Sequence, residues 1–203
     1  MIMNNCTTKS VYESIEACPG KKTLAGIRRR IFYIEKSSIV TFPKLPAMGE
    51  AEVKMKDLAV YKESFVLVEG KFWKFIDLKP EASNVTYETA GEVGSKIFNN
   101  QANAIVAGQS DEVKGFARQC INEDIVYVYQ NRDGGFSVIG NESFETQTTA
   151  SGDTTSEATG ASISTFAISC YDNCPVPTYV GKLPISATEA IDCATGLTEA
   201  IGG

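Results

Sequence analysis

One stretch, Asn84 to Tyr129, limits most strongly what this chain can become, because it holds the one clear helical pattern in a sequence that otherwise reads as β. Val85 and Tyr87, then the run Ile97 to Ala107, are rich in β-branched, aromatic and alternating residues, which suits two strands. Ala90-Gly91-Glu92-Val93-Gly94-Ser95 supplies the turn between them. Ser110 then opens a helix, since its hydroxyl can accept from a free amide of the first turn, and Asp111 and Glu112 sit at the positive end of the helix dipole. Val113, Phe116, Ala117 and Cys120 recur at helical spacing, so the segment to about Ile121 should lay one apolar face on a sheet. Ile125-Val126-Tyr127-Val128-Tyr129 is too rich in β-branched and aromatic residues to be anything but a strand. The pattern predicts a mainly β fold, of β-sandwich or barrel-forming sheets, with one flanking α-helix at about Ser110 to Ile121.

Strand signals continue on both sides of this stretch. Arg28 to Ile34 reads as a strand with Phe32 and Ile34 on one face, and Ala59 to Tyr61, Ser64 to Glu69 and Lys71 to Leu78 follow, the last two joined around Gly70. The apolar set in Phe72 to Asp77 is dense enough to predict a strand covered on both faces, with Trp73 in the core or at a subunit contact. Asp133-Gly134 marks a tight hairpin between Tyr127 to Gln130 and Phe136 to Gly140. Phe144 to Thr149 reads as a strand, Ala150 to Ala161 as a polar linker or mobile hairpin tip, and Ile163 to Cys170 as the partner strand with Phe166, Ile168 and Cys170 on one face. Thr178 to Gly181 looks like a short edge strand. Pro43 and Pro46 keep Thr41 to Pro46 out of any central strand, which leaves Val40 to Lys56 as the longest candidate loop of the first half. The organisation expected is an N-terminal arm (1–24) with a possible helical turn at Val11 to Ala17, a β-sandwich domain (25–184), and a C-terminal arm (185–203) that orders only against a partner.

Composition removes several function classes. With 19 Lys and Arg against 25 Asp and Glu the formal charge is −6, and the largest basic cluster, Arg28-Arg29-Arg30, lies inside a strand pattern, where it reads as a solvated strand start. Tight binding to nucleic acid is disfavoured, though an acidic surface that DNA slides past is allowed. The chain has no histidine, which removes Ser-His-Asp, Cys-His and His-metal chemistry. The six cysteines are expected to be free thiols, and the spacing of Cys170 and Cys174 is wrong for a zinc knuckle. Glu88 and Glu92 could face each other as a glycosidase pair, but strand-rich acidic chains offer such pairs freely. No nucleophile, base and orienting group assemble, so the expectation is no enzyme, no metal and no cofactor. The polar N-terminus and the absence of a run of roughly 20 apolar residues lead us to expect a soluble protein without a membrane partner.

The order of motifs resembles a family. Ala25-Gly26-Ile27-Arg28, the hairpin Tyr87 to Glu92 with Ser95-Lys96, the helix end Phe116-Ala117 to Asp124, the hairpin Asp133 to Gly140 and Pro175-Val176-Pro177-Thr178-Tyr179-Val180-Gly181 occur in the order seen in tail tube proteins of long-tailed bacteriophages. The likeness is to those of Bacteroidetes phages and prophages, whose fold is shared with injection-system and type VI secretion tube proteins. It implies a structural virion protein, assembled in the host cytoplasm, whose hexameric rings stack into the tube that conducts DNA during ejection. The partners implied are further copies of the chain, the tape measure, terminator and distal tail proteins, and DNA in transient passage. Ring-to-ring contacts are then expected in both arms and in the long loop, at Thr41, Phe42, Lys44, Glu50 and Lys54, and the lumen lining on Asn84 to Glu88 and Ser95 to Ala107, with Glu88, Glu92 and Asn103 facing the channel. The alternative is an immunoglobulin-like β-sandwich binding module, a capsid decoration or surface adhesin.

Overall fold

The computed structural model describes residues 12–16, 24–47, 52–157 and 160–201. In chain order its strands begin with β1 (Ile27–Glu35), β2 (Ile39–Thr41), β3 (Val60–Tyr61), β4 (Val66–Leu67), β5 (Lys74–Asp77), β6 (Asn84–Ala90) and β7 (Ile97–Ala107). The helix α1 (Asp111–Cys120) follows, then β8 (Ile125–Asn131), β9 (Phe136–Ile139), β10 (Gln147–Asp153) and β11 (Ile163–Asp172). The chain closes with β12 (Thr178–Tyr179), β13 (Lys182–Pro184), β14 (Glu189–Asp192) and β15 (Leu197–Ala200). The mainly β class, with a single α-helix among the described residues, is thus the observed one.

A six-stranded sheet, ordered β3-β12-β9-β8-β1-β5, forms the middle layer. One of its faces carries Ile31, Tyr127, Tyr129 and Ile139, which pack against Ala102, Ala104, Phe166 and Ile168 of a four-stranded antiparallel sheet ordered β10-β11-β7-β6. The other face carries Phe32, Ile34, Val126, Val128, Phe136 and Val138, which meet Phe65, Trp73, Tyr179, Leu183 and Cys193 in a second core. Burial on both faces explains why Ile125 to Tyr129 are all buried and why their sequence is continuously apolar and aromatic.

The helix sits where its sequence pattern predicts. Ser110 Oγ accepts from Val113 N at 3.4 Å, which caps the first turn. Val113, Phe116, Ala117 and Cys120 face the first core. Phe116 stands edge-on to Tyr33 of the six-stranded sheet at 4.9 Å and to Phe166 of the four-stranded sheet at 5.0 Å, so one aromatic ring ties both layers. The β6–β7 turn needs its glycine: Gly91 has φ +90, and a Cβ there would lie 2.8 Å from Ser95 O. The Asp-Gly hairpin also forms between β8 and β9, with Gly134 at φ +105.

Several expectations are corrected. Phe72 to Asp77 is no doubly covered strand: β5 is an edge, Phe75 is 49% exposed, and the guanidinium of Arg30 lies 3.7 Å over its ring while pairing with Asp77. The aromatic density there serves two separate ends, Trp73 turning into the second core and Phe75 being shielded by a cation. β4 pairs with β2 and β5 with β1, so the two do not form a hairpin around Gly70. β12 is no edge either, since β3 adds in parallel outside it and Tyr179 is fully buried. The strand expected at Phe144 to Thr149 begins only at Gln147, because Asn141 Oδ1 draws Ser143 N and Phe144 N into a turn, and it runs on to Asp153, into the first third of the supposed polar tip. Residues 12–16 carry no helix.

The expected C-terminal arm is instead a three-stranded meander, β13-β14-β15. Leu183, Ala190 and Cys193 are buried by it, and Cys193 N donates to Gly181 O at 3.1 Å. Its small residues show no period because its strands are only three or four residues long and β15 is exposed throughout.

Cys120, Cys170, Cys174 and Cys193 are free and buried, in line with the thiols expected, and Cys6 and Cys18 lie outside the described residues. Burial pushes the Cys170 thiol up to about 11 and that of Cys174 up to about 12, so neither is a nucleophile near neutral pH. Asp172, 5% exposed, has its carboxyl raised by burial, against which Cys174 N, donating to Oδ1 at 3.2 Å, works only in part. A carboxyl whose folded pKa lies above its unfolded one stabilises the fold while protonated, and that contribution is lost as pH rises from the ordinary value of 3.8 through the raised folded one. Asp172→Asn, which keeps the acceptor oxygen, should therefore raise the melting temperature at pH 7 by a few degrees and lose that advantage below the ordinary carboxyl range. Paired thermal melts of the two proteins across pH check this.

Candidate assembly interface

The four-stranded sheet turns one face to the core and one outward. Register fixes the outward set: Glu88 lies opposite Asn99, Thr86 opposite Gln101, and Asn84 opposite Asn103. Asn103 in turn faces Ala167, which faces Thr149, and Gln101 faces Ser169, which faces Gln147. The result is a lawn of short amides and hydroxyls. Amides cross-link it, with Asn103 Nδ2 donating to Asn84 Oδ1 at 3.3 Å and Gln101 Nε2 and Asn99 Nδ2 donating to Glu88 Oε1 at 3.0 and 3.3 Å. Glu88 is thus oriented by two amides and has no cationic partner among the described residues. No Lys or Arg occurs anywhere in β6, β7, β10 or β11, although the chain holds 19 such residues. Glu88 and Asp153 are the ionisable residues of the outward face, and both are carboxylates.

The structure brings together two of the three candidate channel residues. Glu88 and Asn103 share this face, Glu88 bonded to Gln101 and Asn99 and Asn103 bonded to Asn84, whereas Glu92 sits in the turn past the end of β6. That Gln147, Thr149 and Ser151 extend the same face is visible only in the register of β10 with β11, since no local pattern marks where β10 begins and ends.

The edges of the two large sheets differ in kind. The six-stranded sheet ends on β3, only 2 residues long, and on β5, where Lys74 and Asp77 are charged and the Arg30 pair covers the surface. Short and charged edges resist pairing with another chain. The four-stranded sheet ends on β6 and β10, each 7 residues long, without lysine, arginine or proline. Thr149 to Asp153 of β10 are exposed throughout, and so are most residues of β6. These are unguarded edges.

The loop candidates divide. Thr41, Lys44 and Lys54 are exposed, but Phe42 turns its ring inward, edge-on to Phe65 at 5.6 Å. Lys54 N donates to the Asp57 carboxylate at 3.2 Å, opening the 3-10 turn Met55–Ala59, so the loop is partly structured. Glu50 lies outside the described residues. Among the described residues no group of three or more Cys, Asp or Glu side chains could hold a metal ion, and no helix is long and apolar enough to cross a membrane. Comparison with family models, with curated proteins and with solved structures finds no match to this chain.

Proposed function

We propose that the chain is a ring-forming structural subunit, whose four-stranded sheets join edge to edge into a closed barrel that lines a channel for DNA, as in a phage tail tube. The observation that carries this is the pair of long unguarded edges on one sheet whose outward face holds no cation. Four antiparallel strands alternate in direction, so β6 and β10 run oppositely. Rotation about an axis along the strands therefore sets β6 of one copy antiparallel to β10 of the next, and the ladder continues without a break. With six copies, twenty-four strands at ~4.8 Å spacing and ~40° tilt close at a backbone diameter of roughly 48 Å, wide enough to pass duplex DNA.

A channel that conducts DNA must not hold it. Affinity for DNA comes mainly from cations at phosphates, and this face offers amides, hydroxyls and the carboxylates of Glu88 and Asp153. Passage without sticking follows from that chemistry. The tape measure, terminator and distal tail proteins are the partners this reading implies at the tube's interior and ends. Electron microscopy of the purified protein at rising concentration tests the reading. Rings or hollow tubes are the expected result, and particles that stay single at every concentration would favour the binding-module alternative.

A further inference from the structure

Five of the chain's cations converge on one groove at the rim of the six-stranded sheet. Arg28, Arg29, Arg30, Lys79 and Arg132 line it, with Asp77 and Glu81 the two carboxylates among them. Its apolar lining includes Ile27, Leu78, Phe136 and Ile191, and its volume is about 860 Å³. A β-bulge builds it. β1 pairs Ile27 with Asn131 and Ile31 with Tyr129, so the three arginines stand opposite Gln130 alone. A regular strand would send Arg29 to the face opposite Arg28 and Arg30, but here all three are exposed and line the same groove. Arg30 is neutralised by Asp77 and Arg132 lies 3.8 Å from Glu81, whereas Arg28, Arg29 and Lys79 form no ion pair among the described residues. A surplus of three positive charges on a protein of net charge −6 marks a surface shaped for an anionic partner.

The same chain carries a segment of matching chemistry. Residues 12–16, Tyr-Glu-Ser-Ile-Glu, are exposed along their whole length, with Tyr12 at 93% and Ile15 at 87%. Two carboxylates interleaved with two large apolar side chains left in solvent are complementary to a surface that offers both cations and apolar contact. The groove has both. We infer that this groove receives the Tyr12–Glu16 segment of a second copy, with Glu13 and Glu16 at Arg28, Arg29 and Lys79, and Tyr12 and Ile15 against the half-buried Ile191 and the aliphatic stems of the arginines. The contact would link copies through an arm and is independent of the edge pairing above, so it stands or falls without the tube reading.

A fluorescent peptide spanning residues 11–17, titrated against the full-length protein, tests it. Saturable binding is expected, weakened roughly tenfold by Arg28→Glu with Arg29→Glu, the size of effect reached when two partly screened ion pairs become repulsive. It should be unchanged by Lys114→Glu on the helix. Equal binding of a scrambled peptide of the same composition, or equal binding by the charge-reversed groove, would overturn the inference, as would displacement of the peptide by a short DNA duplex at lower concentration than by unlabelled peptide. The occupant is then settled in two differently tagged full-length chains, one bearing Ile15→Cys and the other Thr198→Cys at the groove rim. Oxidation should give a mixed-tag disulfide dimer above the level seen with untouched thiols. If a chain bearing both substitutions instead closes only on itself, the segment docks on its own body and the second-copy assignment is wrong.

Discussion

Proline at Thr149 and proline at Ala150, made as separate variants, are expected to give opposite outcomes. Along an edge strand successive backbone N–H groups point alternately to the neighbour inside the sheet and to solvent. One of these two adjacent residues therefore donates to β11, and the other presents its N–H where the next copy would pair. Proline at the inward position removes a ladder hydrogen bond and should lower the melting temperature and loosen the β10–β11 hairpin. At the outward position the chain loses no ladder hydrogen bond, and at Thr149 only the long 3.5 Å bond from its Oγ1 to Ala167 O, so the monomer should melt close to the parent while assembly is abolished. Thr149 and Ala150 are both exposed, so neither substitution disturbs the core. Thermal melts with sedimentation and microscopy separate the cases. If both variants assemble as the parent does, β10 is not the joining edge and the barrel geometry is wrong.

Trp73→Ala should be the most damaging single truncation outside the assembly edge. Trp73 is 2% exposed, edge-on to Phe65 at 5.4 Å, and its backbone N–H donates to Pro184 O at 2.9 Å, so it joins the segment before β5 to the C-terminal meander. Emptying that site costs about 3–5 kcal/mol, a large part of the roughly 5–15 kcal/mol that holds a domain together. Trp73→Phe should cost much less. Among the described residues the indole Nε1 is buried without a partner, so phenylalanine removes an unsatisfied donor worth about 1–3 kcal/mol along with some volume. Urea titrations of the three proteins give the ranking, and an alanine variant as stable as the phenylalanine one would show that the second core collapses around the hole.

What could be read along the chain was what neighbouring residues decide between themselves. The cap at Ser110, the apolar stripe of Val113, Phe116, Ala117 and Cys120, the Asp-Gly turn and the alternation of Ile163 to Cys170 depend on residues within one or two turns of each other, and each formed as its pattern predicts. Misreadings arose where one local signal served two masters. Phe72 to Asp77 reads as a doubly buried strand because Phe72, Trp73, Phe75 and Ile76 crowd into one short run, yet Trp73 enters the core and Phe75 lies under Arg30 at an exposed edge. The C-terminal segment reads as unstructured because its strands are short, β14 burying only Ala190 fully and β15 being exposed throughout.

By itself the sequence determined the class of the fold, the place of the helix Asp111–Cys120, and the exclusion of histidine-based chemistry, since all of these follow from residue type and short-range period. Tertiary structure alone decided which edges stay open, that Glu88 and Asn103 share a cation-free face with Thr149, and that three consecutive arginines line a single groove. The reason is physical: an edge or a face is defined by what pairs with it across the sheet, and those partners come from strands as far apart as Thr86 and Gln147.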